Sequence, residues 1–505
     1  MYSRTIGWNL LANLLGQGWA TVLALLAVPI FLHFLGADGF GLIGFYMTMA
    51  TLLSVMDGGM AASATREAAT LSAVGEDARG VLRETLRSIE TLFALIAVST
   101  GTAYALLAPA IAKHWLQVPE ARMPEMTQAL SLMGGALALQ FMQGFYNSCL
   151  VGLQRQVLLN GVNAVLGTLR IGGAALVIWL WSPTASTFFA WQFAIGLLSA
   201  ACMCWVTWNA LGGAHGARPR LGALRRSGHF TMGVGATNLL GLILTQLDKV
   251  ILSKLLPLQT YGYYMVAWTA GTLALRAAGP VFNAYYPALT SLAHISGSTS
   301  RIRHAYIEGS SLLSIAVAPI TAFLVLFGSP LLHFWTGDAT LANAAALPLA
   351  MIALGTMANA CMHLPYALQL AHGRTRLPLI QNVIAVVLLP AITYFSTVHY
   401  GLTGASVSWL ALNLGYILFT PSLALRGLID NAAGIWYWRC IVIPLAISIA
   451  ISAIGHAIAK QVPGNLPTIA IGVASLLLSL VACTRFSHVA PWRLLFGLKG
   501  SETAP

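Results

Sequence analysis

Charged residues are scarce. Only 8% of the 505 residues are Asp, Glu, Lys or Arg, against about 25% in a soluble domain. Hydrophobic residues make up 58% and the mean hydropathy is +0.77. A water-soluble fold cannot hide that much apolar surface, so the chain reads as a polytopic helical membrane protein. Ten-residue segments of alternating hydrophobicity are missing, which excludes a transmembrane β-barrel. No Walker-type phosphate loop, H-E-x-x-H or G-x-S-x-G occurs, so ATP hydrolysis, the commonest zinc chemistry and serine-hydrolase chemistry drop out. No soluble domain is left to hold an enzyme site. The chain therefore reads as a transporter rather than an enzyme, with no cofactor and no metal, driven by ion gradients, membrane potential or the substrate gradient. Acidic residues are outnumbered, 14 against 26 basic, for a net charge of +12. No basic and aromatic platform of the kind that binds single-stranded nucleic acid accompanies that charge. The six cysteines lie in or beside hydrophobic segments without metal-ligand company and read as small packing residues.

What is present is a series of long apolar runs. Fourteen spans are expected, at about 6–34, 42–62, 89–110, 127–148, 157–181, 187–208, 230–255, 263–290, 306–328, 345–371, 379–398, 402–424, 439–459 and 467–484. The first run is too long for a signal-peptide core and is read as a retained span. Nineteen of the 26 basic residues fall in the loops and tails of one side, four on the other and three within spans. By the positive-inside rule both termini lie in the cytoplasm. The chain also repeats itself at an offset of 221 residues. Phe40–Gly41 matches Tyr261–Gly262, Pro109 matches Pro330, and Gly152 and Arg155 match Gly373 and Arg376. A six-span duplication gives parallel repeats: an N-terminal lobe over 1–215, a second over 216–430, and two extra spans with a tail over 431–505.

Several ionisable residues lie within the spans, where a charge costs about 2.5–3.5 kcal/mol at the bilayer centre. Asp248, Lys249 and Arg276 fall inside Thr245–Leu292, and Arg170 lies mid-way along the fifth span. Such residues face a partner or a water-filled cavity rather than lipid. Arg276 matches Val55 in the repeat, two residues from Asp57, which places both charges at similar depth. Arg66 and Arg4 belong to the cytoplasmic entrance. His33 and Lys254 also match at the offset and read as an outward gate or as interfacial anchors. Tyr46, Trp268, Tyr285 and Tyr286 read either as sugar-stacking rings or as helix packing. The stretch from Arg66 to Arg87 has an amphipathic helical pattern suited to a membrane surface.

The run from Trp8 to Ala69 pairs a first span with Leu35-Gly36-x-x-x-Phe40-Gly41, then Asp57-x-Gly59 and a terminal Arg66–Glu67. With Gly152-Leu153-Gln154-Arg155, Asp248-Lys249-x-Ile251-Leu252 and Tyr261-Gly262-Tyr263-Tyr264, it resembles the polysaccharide-repeat (Wzx-type) flippases. Their superfamily also holds the multidrug extruders and the lipid II flippase. The resemblance covers spans one to twelve. It implies two six-helix lobes with alternating access in a bacterial inner membrane, and a cationic chamber for an undecaprenyl-diphosphate-linked oligosaccharide. It further implies a role in O-antigen, capsule or exopolysaccharide synthesis, with a polysaccharide polymerase and glycosyltransferases as possible contacts. Arg offers a diphosphate bidentate, always-charged donors. On this reading Arg276, Lys249 and Arg170 are headgroup ligands, and Asp248 and Asp57 are gating or ion-coupling carboxylates. The last two spans resemble the pair that shapes a lipid-tail groove in the lipid II flippase. Alternatives on the same fold are a cation-coupled drug extruder and lipid II flipping itself. A non-transporting lipid-binding scaffold is a third.

Overall fold

The structure is a computed structural model that describes residues 2–57, 59–71, 76–213, 218–219, 241, 243–295, 297–429 and 432–486. The described residues contain helices and no strand. Among the described residues, nine helices are long and apolar enough to cross a membrane. Two of them are each a pair of helices joined at a glycine. Helix α1 (Tyr2–Val55) turns at Gly36, with φ 68° and ψ −179°. Helix α13 (Arg376–Ala424) turns at Gly401, with φ 54° and ψ −130°. Only glycine takes up such backbone angles without steric cost, so one helix passes into the next there with no intervening loop.

By its contacts the chain divides into two compact units, Met1–Gly262 and Tyr263–Pro505. In the first unit, α4 (Met123–Gly152) packs against α2 (Met60–Leu71), α3 (Glu76–Ala110) and α6 (Ala185–Ala210), while α5 (Gln156–Leu180) lies along α1. Phe93, Phe141, Phe145 and Leu86 fill the core between these helices. Val157, Val165, Leu176 and Trp179 of α5 are exposed, an outward face suited to lipid. A short helix over 243–255, here α7, and the first residues of α8 (Leu258–Gly271) complete the unit.

In the second unit, α10 (Thr299–Thr336) is central and packs on α11 (Ala339–Cys361), α15 (Ile443–Ala459) and α16 (Asn465–Phe486). Helix α9 (Ala278–Ala293) pairs with α12 (His363–Ala371), and α11 with α13. The extra pair, α15 and α16, meets through small buried residues. Gly455 abuts Ser475 and Ser448 lies 3.6 Å from Cys483, with Ser452, Ala459 and Ser479 buried alongside, while Gly472 of α16 packs on Phe323 and Phe327 of α10. Lipid tails are as apolar as leucine, so close backbone approach across small residues is what joins membrane helices.

Three predicted spans are broken, the tenth, expected over 345–371, dividing at Met362 between α11 and α12. The second, expected to run unbroken over 42–62, ends at Val55 and restarts at Met60. Between them the Asp57 carboxylate accepts from the Gly59 amide at 2.7 Å. That is the local turn an Asp followed by glycines favours over helix. The eighth, expected over 263–290, is interrupted by a 3₁₀ turn at Leu273–Ala277. Subtracting the 221-residue offset places that turn at 52–56, beside the first repeat's break at 56–59, so the two repeats break about one helical turn apart. Of the predicted seventh span, 230–240 and 242 lie outside the described residues, as does the tail beyond 486.

Candidate functional site

In the first unit, a line of polar side chains runs along α1, α4 and α5. Gln140, Gln143 and Asn147 recur at three- and four-residue spacing and therefore share one face of α4. Asn160, Asn163 and Arg170 do the same on α5. The Tyr46 hydroxyl donates to Gln140 Oε1 at 2.5 Å. Arg170 Nη2 donates to Gln143 Oε1 at 3.4 Å, the outer limit of a hydrogen bond. Asn163 reaches Asn147 at 3.4 Å. Asn160 donates to Asn13 Oδ1 at 2.6 Å, and Asn13 to Gln156 at 2.6 Å. Arg170 is half-buried, its charge is felt at Tyr46, and its Nε is buried with no partner. The Gln143 amide nitrogen is likewise unpartnered. A buried guanidinium with a spare donor is costly unless a ligand meets it.

Asp57 sits at one end of this line. It is half-buried in the helix break and lines a cavity of about 130 Å³ with Ser54, Gln140 and Gly144. The fold thus brings Asp57 and Arg170 to one polar strip, linked through Gln140 and Tyr46. Arg66 is exposed on α2. Arg4 lies in α1, and its side chain is outside the described residues.

Asp248 and Lys249 neutralise each other. Lys249 Nζ lies 3.2 Å from Asp248 Oδ1 and donates to the Thr245 carbonyl at 2.8 Å. Both side chains are almost wholly buried. Nearby, Thr48 and Tyr261 share a hydrogen bond between their hydroxyls at 3.1 Å. The two repeat glycines meet directly beside it. A Cβ on Gly41 would lie 2.2 Å from the Leu258 carbonyl oxygen, and one on Gly262 would lie 2.2 Å from that of Ala37. Ala37 and Leu258 are themselves 221 apart, so the contact repeats the internal symmetry of the chain. At the same end Lys254 donates to the His114 carbonyl and lies 5.7 Å from the centre of the Trp115 ring. Trp115 donates to Ser253 at 3.1 Å. His33 is exposed beside Phe34.

In the second unit, Arg276 is exposed within the 3₁₀ turn. Three of the aromatic residues singled out above are taken up by packing. Tyr46 meets Phe189 at 5.6 Å, Trp268 meets Trp409 at 5.1 Å, and Tyr285 lies against Gly309. Tyr286 stacks on Phe282 at 5.4 Å.

One buried carboxylate escapes a reading based on mid-span charge. Glu90 accepts from Tyr146 at 2.9 Å, from Trp208 at 3.1 Å and from Arg87 at 2.5 Å. Arg87 also lies 4.4 Å from the centre of the Trp208 ring. Every partner is a neighbouring protein group, so this cluster holds α3, α4 and α6 together. Its signal was faint, because Glu90 sits at the edge of a predicted span. All six cysteines are free thiols.

The protein family described as Polysaccharide biosynthesis protein matches residues 6–293, more than half of the chain. The chain belongs to that family. A second family, MatE, matches residues 288–395 of this polysaccharide biosynthesis protein. Among curated relatives, a Shigella flexneri protein named "Putative O-antigen transporter" is 19% identical over 404 residues, covering 79% of this chain and 93% of its own. Among solved structures, the lipid II flippase MurJ in an inward closed conformation superposes with a TM-score of 0.70 at 11% identity. That match covers 94% of this chain and 99% of the flippase. An inward-facing multidrug resistance MATE family transporter gives 0.61 at 13% identity, over 80% and 95% of the two chains. These structural likenesses establish the fold. The protein is a multi-pass membrane transporter of the multidrug, oligosaccharidyl-lipid and polysaccharide superfamily.

Proposed function

We propose that this transporter moves an undecaprenyl-diphosphate-linked oligosaccharide from the cytoplasmic to the periplasmic leaflet of a bacterial inner membrane, by alternating access. The product feeds O-antigen, capsule or exopolysaccharide synthesis. Both termini lie in the cytoplasm. The observation that carries the reading is Arg170, a half-buried guanidinium with an unpartnered Nε beside uncharged amides, with Asp57 at the far end of the strip, in a chain of the polysaccharide family. A guanidinium binds a diphosphate through paired, charge-assisted hydrogen bonds. Surrounding amides carry no charge to compete for it. Arg170 and Arg276 are the direct headgroup ligands. Lys249 joins them when its pair with Asp248 opens, which makes that pair a gate. Asp57, at a helix break, is the second gating carboxylate. Discontinuous membrane helices recur at transporter sites because a broken helix frees backbone groups for ligands and movement. Polymerase and glycosyltransferase contacts belong to the same proposal.

The test is transport of an undecaprenyl-diphosphate oligosaccharide in proteoliposomes by wild type, Arg170→Ala and Arg170→Lys at equal incorporation. Loss of at least about tenfold in the Ala variant, with partial recovery in the Lys variant, supports the assignment. Equal rates in all three remove Arg170 from the site.

A further inference from the structure

The second unit contains a cavity that none of the charges accounts for. It lies between α11–α12 and both halves of α13, and its volume is about 210 Å³. No residue with a fixed charge lines it. A diphosphate or a cationic drug would be poorly solvated there. One part of the wall is amide: Asn359, Gln381 and Asn382. These groups are already oriented. Asn359 donates to Asn413 at 2.7 Å, Gln381 to Thr420 at 2.6 Å, and Tyr416 to Asn382 at 3.0 Å. Each amide keeps unused donor or acceptor capacity. Gln369 also lines the cavity. It is 1% exposed, and its Oε1 has no hydrogen-bond partner. A buried acceptor left unmet costs about 1–3 kcal/mol, so it marks a place where a donor belongs.

The other part of the wall is aromatic. The Tyr366 ring, 41% exposed, stacks on Phe282 at 6.3 Å and 22°. His363 meets Phe282 edge-on at 6.3 Å. Flat rings beside amides that both donate and accept match one chemistry well. A pyranose ring has apolar C–H faces and a rim of hydroxyls that also donate and accept. The volume is below the roughly 300–1,000 Å³ of pockets for drug-sized ligands, which sizes it for a single sugar ring.

We propose that this cavity is a subsite for one neutral sugar of the transported glycan, with Tyr366 as the stacking platform and Asn382, Gln381 and Gln369 as hydroxyl partners. The inference rests on the transport reading above and adds to it. The diphosphate is held by arginine, and the sugar is read separately by an uncharged pocket. The first repeat carries only part of this chemistry. At the 221-residue offset Asn359, Tyr366 and Gln369 match Ala138, Phe145 and Ser148, whereas Gln381 matches Asn160.

The test uses the full-length protein in nanodiscs and saturation-transfer NMR with glucose, galactose, rhamnose and N-acetylglucosamine, and with inorganic pyrophosphate as a separate probe by calorimetry. Wild type is compared with Tyr366→Ala, Asn382→Ala and the near-isosteric Gln369→Met. Tyr366 is exposed enough for its truncation to be tolerated, and gel filtration checks each variant. The expected result is saturable binding of at least one neutral sugar, weakened about tenfold or more in Tyr366→Ala and Asn382→Ala, with pyrophosphate binding unchanged. The same sugar should compete with lipid-linked oligosaccharide in proteoliposomes, which ties it to the glycan rather than to a free metabolite. No sugar signal in wild type, or equal affinity in all variants, overturns the subsite even where lipid is transported. Variant-sensitive sugar binding without lipid movement overturns the transport reading and leaves a neutral-sugar pocket without its link to a glycan.

Discussion

The glycine contact between residues 41 and 262 is the most exacting feature of the first unit, and it predicts the outcome of a one-carbon change. In Gly41→Ala the new methyl carbon lies 2.2 Å from the Leu258 carbonyl oxygen, and in Gly262→Ala it lies 2.2 Å from that of Ala37. Each is more than about an ångström short of ordinary van der Waals contact. The opposing atoms are backbone, so no side chain can swing aside. Overpacking of this kind costs about 1–3 kcal/mol. A cost of that size lowers the population of the packed arrangement about 5–150-fold. Thr48 lies close by, is 1% exposed and is hydrogen-bonded to Tyr261. A Thr48→Cys probe in a background with the six native cysteines replaced by alanine reports on the contact. Its reaction with a bulky maleimide should accelerate about 5–150-fold in either glycine variant. The double variant should gain less than the product of the two, because both changes relieve the same interface. Gly415→Ala serves as the control, since a Cβ there meets nothing within 4 Å. Labelling rates equal to this control in both Gly41→Ala and Gly262→Ala would refute the reasoning.

The buried Asp248–Lys249 pair predicts that Lys249→Met alone destabilises the protein by about 3–5 kcal/mol, because a lone buried carboxylate remains. Asp248→Asn combined with Lys249→Met should recover most of that loss in thermal unfolding. Glu90→Gln keeps the shape of the side chain but removes its charge from four donors, Tyr146, Trp208, Arg87 and the Cys204 thiol. It should cost about 1.5–3 kcal/mol in the same assay and shift the emission of Trp208. Ser479→Leu places a large side chain in the small-residue stripe of α16 and should separate α15 from α16 at about 1–3 kcal/mol, read as faster proteolysis after residue 431.

The helical class, the family and the position of most spans were legible because each rests on composition or on local runs of residues. Scarce charge and twenty-residue apolar runs leave few architectures, and the 221-residue offset is visible in loop glycines and prolines. The interruption at Asp57 was legible in principle, since Asp57-Gly58-Gly59 is a turn sequence. The flanking apolar runs made it read as one continuous span. The 3₁₀ turn at Leu273–Ala277 was legible in the same way, since Gly271 precedes it and Gly279–Pro280 follow, and Pro280 has no N–H to give the Arg276 carbonyl. Charges drew the reading toward Arg170 and Arg276. The amides at Gln140, Gln143 and Asn147 had helical spacing but no charge to single them out. The cavity around Gln369 and Asn382 was beyond reach, because its walls come from three helices of the chain. Lys249, read as a headgroup ligand, is held by Asp248 and the Thr245 carbonyl, a pairing that adjacent residues in one helix do not announce.

The most direct test of the central claim is reconstituted transport with two substrates offered to one preparation: an undecaprenyl-diphosphate oligosaccharide and a cationic dye under a proton gradient. The account predicts movement of the lipid-linked sugar, its loss in Arg276→Ala with partial return in Arg276→Lys, and no expulsion of the dye. Dye expulsion with no movement of the lipid, in wild type, would contradict it and make the protein a drug extruder.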